Sequence, residues 1–255
     1  MAYKKKTIIA GRVKNVYYCH TARNNSSKRP KQKNQNPTPE QQKKNDERRA
    51  YEKIDLLINA NFKADDLYIT LTYNNNQKEP TPAEAKVIIR KYLDRLRYLY
   101  EKKGLKIKYI GTTEHVKGRM HHHLLINKIN GIGSKQVKKL WDFGFVTVKL
   151  YIGEPEDAER LAAYFVKESN NTFNTDKRVH GRRYISSRSL IIPEPKIETV
   201  SASTWREEVK PSKGYYIVLD RKGETAGGYP YRFVRMIKIP GCDENEYDSR
   251  KACEM

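Results

Sequence analysis

From Leu67 to Tyr73 the chain reads Leu-Tyr-Ile-Thr-Leu-Thr-Tyr, a β-branched and aromatic run that predicts a central strand, closed by the turn residues Asn74-Asn75-Asn76. Just before it, from about Asp46, the period changes: Ala50, Ile54, Leu57 and Ile58 share one helical face, and that helix should end near Asn59-Ala60-Asn61. After the strand, Thr81 can cap a second helix, Pro82 suits its first position and Glu84 completes a capping box. Ile89, Tyr92, Leu96 and Leu99 follow at three- and four-residue steps until Gly104 stops the helix. Strands are predicted at 106–114 and 120–127, flanking a turn at Val116-Lys117-Gly118-Arg119. A short helix at 135–142 carries Val137, Leu140 and Trp141, a strand follows at 145–151, and a last helix runs from about Pro155 to Ser169. From Leu67 to Leu150 the order is β-α-β-β-α-β, which predicts an α+β, ferredoxin-like core with an antiparallel sheet and an appended helix. The topology fixes no activity, since RNA-binding modules share it.

The flanks are less regular. Residues 7–18 alternate weakly and predict a strand that adds to a sheet edge, and 21–45, rich in Lys, Asn, Gln, Ser and Pro, read as a mobile basic linker. After Asn170 periodicity is lost; Lys177-Arg178 and Arg182-Arg183 form a basic loop, and 214–219 and 229–238 resemble two further strands. The expected division is an N-terminal strand and linker over 1–45, the main domain over 46–195 and a basic extension over 196–255.

Charge narrows the choice of partner. Lys and Arg number 51 against 30 Asp and Glu, a net +21, and the isoelectric point is about 9.7. Such a field attracts polyanions, of which nucleic acid is the common cellular example; a membrane surface is the competing reading. No apolar run approaches the roughly 20 residues of a membrane helix, and Met-Ala-Tyr-Lys-Lys-Lys has no sustained apolar region behind it, so a cytoplasmic protein is expected. Cys19, Cys242 and Cys253 form no C-x-x-C pair and read as free thiols. No G-x-x-x-x-G-K-[ST] pattern occurs, so the chain carries no ATP-driven motor of that kind.

The chemistry concentrates in Gly118-Arg119-Met120-His121-His122-His123-Leu124-Leu125-Ile126. On a strand His121 and His123 face one side and His122 the other. If the turn closes a hairpin with His115 opposite Met120, Glu114 faces His121 and Thr112 faces His123, all on one face. Two imidazoles and a carboxylate make a mixed N/O set suited to Mn²⁺, to Mg²⁺ less tightly, or to Zn²⁺. A register shifted by one residue removes Glu114 from the set. His122 is expected to pack or be exposed rather than to bind metal.

On the helix 155–169, Ala158, Leu161, Ala162 and Phe165 form the buried stripe, with Tyr164 at its edge and Arg160 and Lys167 on the polar flank. A phenol is a poor nucleophile at its ordinary pKa of about 10 and needs nearby positive charge, which Lys167 at i+3 can supply. Taken alone, Tyr164 reads as a rim residue; the neighbouring histidines make it a candidate nucleophile.

Together these segments resemble the HUH-endonuclease superfamily, specifically rolling-circle replication initiators of plasmids, phages and integrated elements. Gly118-Arg119-Met120-His121-His122-His123 looks like its histidine motif, Tyr164-Phe165-Val166-Lys167 like its Y-x-x-K motif, and Ile69-Thr70-Leu71-Thr72-Tyr73 like its threonine-rich strand. Arg183-Tyr184-Ile185-Ser186-Ser187-Arg188-Ser189-Leu190 is similar to a stretch that follows the tyrosine helix, so the resemblance spans about 46–195. It implies that His121, His123 and Glu114 hold a divalent metal, Mn²⁺ or Mg²⁺, and that Tyr164, aided by Lys167, nicks single-stranded origin DNA. The products would be a 5′-phosphotyrosine link and a free 3′-hydroxyl, with later religation. Arg119, Arg160, Arg182 and Arg183 are the expected DNA contacts, and a host helicase and polymerase are implied partners. Two alternatives remain: a relaxase or single-tyrosine transposase, and a non-catalytic single-strand-binding repressor that stacks bases on Tyr68 or Tyr109. Relaxases commonly place the tyrosine before the histidines, whereas Tyr164 follows them.

Overall fold

A computed structural model describes residues 2–20, 38–74, 78–116, 119–173, 178–202, 204–224 and 229–241. The segment 21–37 of the expected linker, Lys177 of the basic loop, Lys117 and Gly118 of the expected turn, Cys242 and Cys253 lie outside them. The chain divides into two compact units, one from Asn45 to Ile192 and one built from both ends, Met1–Lys44 with Pro193–Met255.

The strands of the end-built unit are β1 (Tyr3–Ala10), β2 (Val13–Cys19), β8 (Lys196–Val200), β9 (Tyr215–Glu224) and β10 (Pro230–Lys238). They form one antiparallel sheet in the order β8-β1-β2-β10-β9. The weakly alternating N-terminal stretch is therefore not one edge strand but a hairpin inside the sheet, turning at Gly11, whose φ of 55° favours glycine. The expectation kept 1–45 and 196–255 apart, but pairs such as Tyr3 with Val200 and Tyr17 with Phe233 join their strands in one sheet. Val16, Tyr215, Val234 and Met236 form its small core.

In the central unit, β3 (Leu67–Tyr73), α2 (Pro82–Glu101), β4 (Tyr109–Val116), β5 (Arg119–Ile126), α3 (Ser134–Lys138) and β6 (Gly144–Leu150) follow the predicted β-α-β-β-α-β order. Before them lies α1 (Pro39–Asn61); after them come α4 (Pro155–Phe173) and the short β7 (Ile185–Ser186). The sheet order β6-β3-β5-β4-β7 is antiparallel throughout, the arrangement expected of a ferredoxin-like α+β core. Thr81 and Glu84 make the predicted capping box of α2. α1 begins earlier than expected because Thr38 and Gln41 make a box of their own, with backbone-to-side-chain distances of 3.0 and 3.3 Å. Its first turns are exposed, so no apolar period marks them.

The sheet's alternation separates two apolar layers. Leu67, Ile69, Leu71, Met120, Leu124 and Ile126 pack with α2 on one face. On the other, Ile110 and Leu125 pack with Ile54 and Ile58 of α1 and Ala162 and Phe165 of α4. Hairpin β4–β5 is tight: a Cβ on Gly111 would run into the His123 carbonyl oxygen and the Leu124 side chain. One polar chain crosses the α2-side layer. The Tyr73 hydroxyl meets His122 Nε2 at 2.8 Å, and Thr113 Oγ1 lies 2.8 Å from both His122 Nδ1 and His180 Nε2. His122 is thus packed, as expected, and fully buried.

These features predict two measurable behaviours. Replacing Gly111 by Ala forces the two strands apart and should lower the free energy of unfolding by about 1–3 kcal/mol in a urea titration; an unmoved midpoint would contradict the close approach. Burial, and then the Lys86 charge, pushes His180 down from 6.5 to about 4, and burial moves His122 in the same direction. Their neutral forms are favoured by folding, so stability is complete above pH 6.5 and is lost as pH falls toward 4. His180→Gln should flatten that fall by on the order of 2–3 kcal/mol, read from Tm against pH; a slope equal to the parent's would count against the assignment.

Candidate active site

Register builds the site. Thr112 pairs with His123, Glu114 with His121 and His115 with Met120, the hairpin register expected from sequence. On the other side of β5, Thr70 pairs with His123 and Thr72 with His121. Paired residues share a face, so these side chains project together from the face covered by α4.

Hydroxyls on β3 orient both rings. Thr72 Oγ1 lies 3.0 Å from His121 Nδ1, while Tyr68 Oη and Thr70 Oγ1 lie 3.0 and 3.3 Å from His123 Nδ1. Each hydroxyl can donate or accept, so the rings are held in either tautomer. Nε2 of His123 points at Glu114 Oε2, 2.9 Å away. Into this pair α4 directs Tyr164, whose hydroxyl donates to Glu114 Oε2 at 2.7 Å and lies 3.0 Å from His123 Nε2. His123, Glu114 and Tyr164 therefore meet at one point, and His121 stands beside them with its ring centroid 6.4 Å from that of His123.

Electrostatics divides the labour. Burial raises the Glu114 carboxyl, but hydrogen bonds from Tyr164 and His123 outweigh it and leave it below the usual carboxylate range. Burial pushes His123 down, against the pull of Glu114, so the ring is neutral and retains a lone pair. Burial, followed by the bond to Glu114, raises Tyr164, so the resting phenol is protonated.

Whether the group suits a divalent cation follows from its donors. With the proton on Nδ1 of His123, Nε2 and Oε2 present lone pairs to each other at 2.9 Å, an arrangement that a cation or a proton relieves. Nε2 of His121 makes no hydrogen bond among the described residues. The residue types therefore fit the ion. Their spacing among the described residues forms no ready-made three-ligand cage, so His121 has to turn inward to join.

The other expected residues are placed less centrally. Lys167 is exposed and makes no hydrogen bond or ion pair among the described residues. Arg119 is exposed at the start of β5, Arg160 is exposed and paired with Asp157, and Arg182 is exposed. Arg183 is half-buried and bonds the Asn170 side chain. Of the two tyrosines considered for base stacking, Tyr109 lies on the opposite face and is largely buried, while the Tyr68 ring stacks on His123.

Two contributors went unassigned in the sequence. Thr70 and Thr72 orient the imidazoles, and the period of two along β3 placed them on that face. Glu168, buried and one turn beyond Tyr164, shares a hydrogen bond with Glu114, which requires one proton between the two carboxyls. Its i+4 spacing from Tyr164 was the available signal.

Among the described residues, no helix is long and apolar enough to cross a membrane. No curated protein and no solved structure is significantly similar to the chain. Residues 66–172 match the family of the replication-associated protein ORF2, a span that contains β3 through nearly all of α4 and with them His121, His123, Glu114 and Tyr164. The match supports a role in replication and, with it, contact with nucleic acid.

Proposed function

We propose that this chain is a replication initiator of the HUH-endonuclease type that nicks single-stranded origin DNA with Tyr164 as nucleophile. The observation that carries the reading is the inward-turned phenol, within 3.0 Å of both Glu114 and His123 on the segment matching the replication-associated family. In the first step the Tyr164 oxygen bonds to phosphorus and the bond from phosphorus to the 3′ oxygen breaks. The DNA is left with a 5′-phosphotyrosine and a 3′-hydroxyl. Glu114, ionised and already accepting from the phenol, receives its proton, and the departing 3′ oxygen takes up another. Religation is the same displacement reversed.

His121, His123 and Glu114 would hold Mn²⁺ or Mg²⁺, which when bound supplies positive charge to the scissile phosphate. A carboxylate has lone pairs enough to face both an ion and the phenol. Thr70, Thr72 and Tyr68 keep the imidazoles from rotating away, and α4 excludes water from the back of the phenol by burying Phe165 and Ala162. Lys167, three residues from Tyr164 on a flexible stem, holds the phosphate, and Arg119, Arg160, Arg182 and Arg183 steer the strand. A host helicase and polymerase extend the 3′-hydroxyl, and the protein works in the cytoplasm.

Tyr164→Phe should abolish the covalent product on a labelled origin oligonucleotide, seen as loss of the shifted band on a denaturing gel, while binding persists. Nicking at the parent rate would remove Tyr164 from the role. The double variant His121→Ala with His123→Ala should weaken Mn²⁺ binding by tenfold or more, on the order of the 10–100-fold losses seen when a metal's shell is disturbed. Calorimetric titration measures this directly, and an unaltered affinity would refute the metal assignment.

A further inference from the structure

The largest concavity of the central unit lies away from the candidate active site, on the α2 side of the sheet. It is a groove of about 940 Å³ between α2 and the chain at 180–189. Its floor is apolar, with Ile89, Leu93 and Ile107, and Tyr109 and Tyr184 stand along it. Its walls are basic. Lys86, Arg90, Lys106, Arg182 and Arg188 line it, all exposed, and none makes an ion pair among the described residues. Arg97 also lines it, paired with Asp94. Elsewhere in the unit exposed cations such as Arg95 and Arg160 do have carboxylate partners. Five unneutralised cations around one concavity repel one another, a cost that a bound polyanion removes.

We infer that this groove binds the phosphate backbone of a single DNA strand, as a second tract distinct from the site that holds the reacting phosphate. The inference rests on the proposed function only for the identity of the polyanion. Shape and chemistry favour a single strand. Lys86, Arg90 and Arg97 rise along one side of α2 over roughly 16 Å at about 1.5 Å per residue, a track that spans several phosphates. Arg182 and Arg188 face them from the other wall. The apolar floor and the two tyrosines suit unstacked bases, which a duplex keeps inside and a single strand exposes. An acidic peptide offers charge but no base faces for that floor.

The groove also has a path to the site. β4 carries Glu114 on one face and Tyr109 on the other, roughly 17 Å apart at about 3.3 Å per residue. The chain from Arg178 to Ser189 crosses the same edge: the Arg183 carbonyl accepts from Thr112 on the site side, and β7 pairs with Ile110 and Gly111. A strand leaving Tyr164 can therefore round the β4–β7 edge into the groove. Such a tract holds flanking DNA while the nicked phosphate is processed.

The test is fluorescence anisotropy of the full chain with labelled oligothymidine of about 30 and about 8 nucleotides across a salt series. Arg90→Ala with Arg188→Ala should weaken the longer strand roughly 10–30-fold near 0.1 M salt and reduce the salt slope by about 1.4, at about 0.7 per lost phosphate contact. The shorter strand should be affected less than threefold. Lys135→Ala with Lys138→Ala, an equal charge loss on α3, should leave the salt slope unchanged and serves as control for net charge. An unchanged slope in the groove variant, an equal loss in the α3 variant, preferential loss of duplex binding, or displacement by polyglutamate alone would each overturn the inference. Both outcomes for nicking stay readable. If Tyr164→Phe nicks normally yet the groove variant loses long-strand binding, the tyrosine assignment falls and the groove stands; the reverse pattern removes the groove alone.

Discussion

The candidate site depends on one constraint, the register of β5 between its two neighbours. With Thr112 and Thr70 opposite His123, and Glu114 and Thr72 opposite His121, acid, imidazoles and orienting hydroxyls all emerge on one face. A slip of one residue on either side would send them into the α2 layer. Gly111 contributes to holding that register because it lets β4 approach the His123 backbone closely, and the buried pair on the other face contributes too. His122 cannot leave its contacts with Tyr73 and Thr113 without exposing unsatisfied nitrogens in a dry layer. The middle histidine of the triplet, though turned away from the chemistry, pins the strand that presents the outer two.

The same packing that orders the site also opposes it. α4 buries the Tyr164 ring enough to keep its hydroxyl protonated, while the bond from that hydroxyl helps Glu114 remain an ion. Acid and base are coupled in one pair, and neither shift arises without the other. A nucleophile in this state is inert until a phosphate brings its own charge and a proton can move to Glu114. Resting inertness suits an enzyme whose attack on DNA is costly if mistimed.

The core and the site were legible because their signals are local. Alternation in β3 and β5, the capping box of α2 and the i+3 and i+4 stripe of α4 each follow from a few adjacent residues. The hairpin register could be derived because a tight turn leaves few ways to pair two short strands. What stayed hidden depended on partners far along the chain or on polar signals. The first turns of α1 carry no apolar period, and only Thr38 and Gln41 mark the start. Glu168 matters through Glu114, which lies on another element, and nothing local distinguishes it from the other acidic residues of α4.

Least legible was the sheet built from both ends. Its strands β1 and β2 alternate weakly because each acquires its neighbours from residues beyond 190, and pairing across such a separation leaves no trace in either segment alone. The consequence reaches folding. Asn45–Ile192 is continuous and rich in sequential pairings, so it can assemble its sheet and site as soon as that stretch is available. The other unit closes only when β8 and β10 reach β1 and β2, a loop closure that costs more entropy and comes later. A destabilising change in β1 or β2 should therefore act on the late-closing sheet first. A change at Gly111 acts on the unit that carries the chemistry.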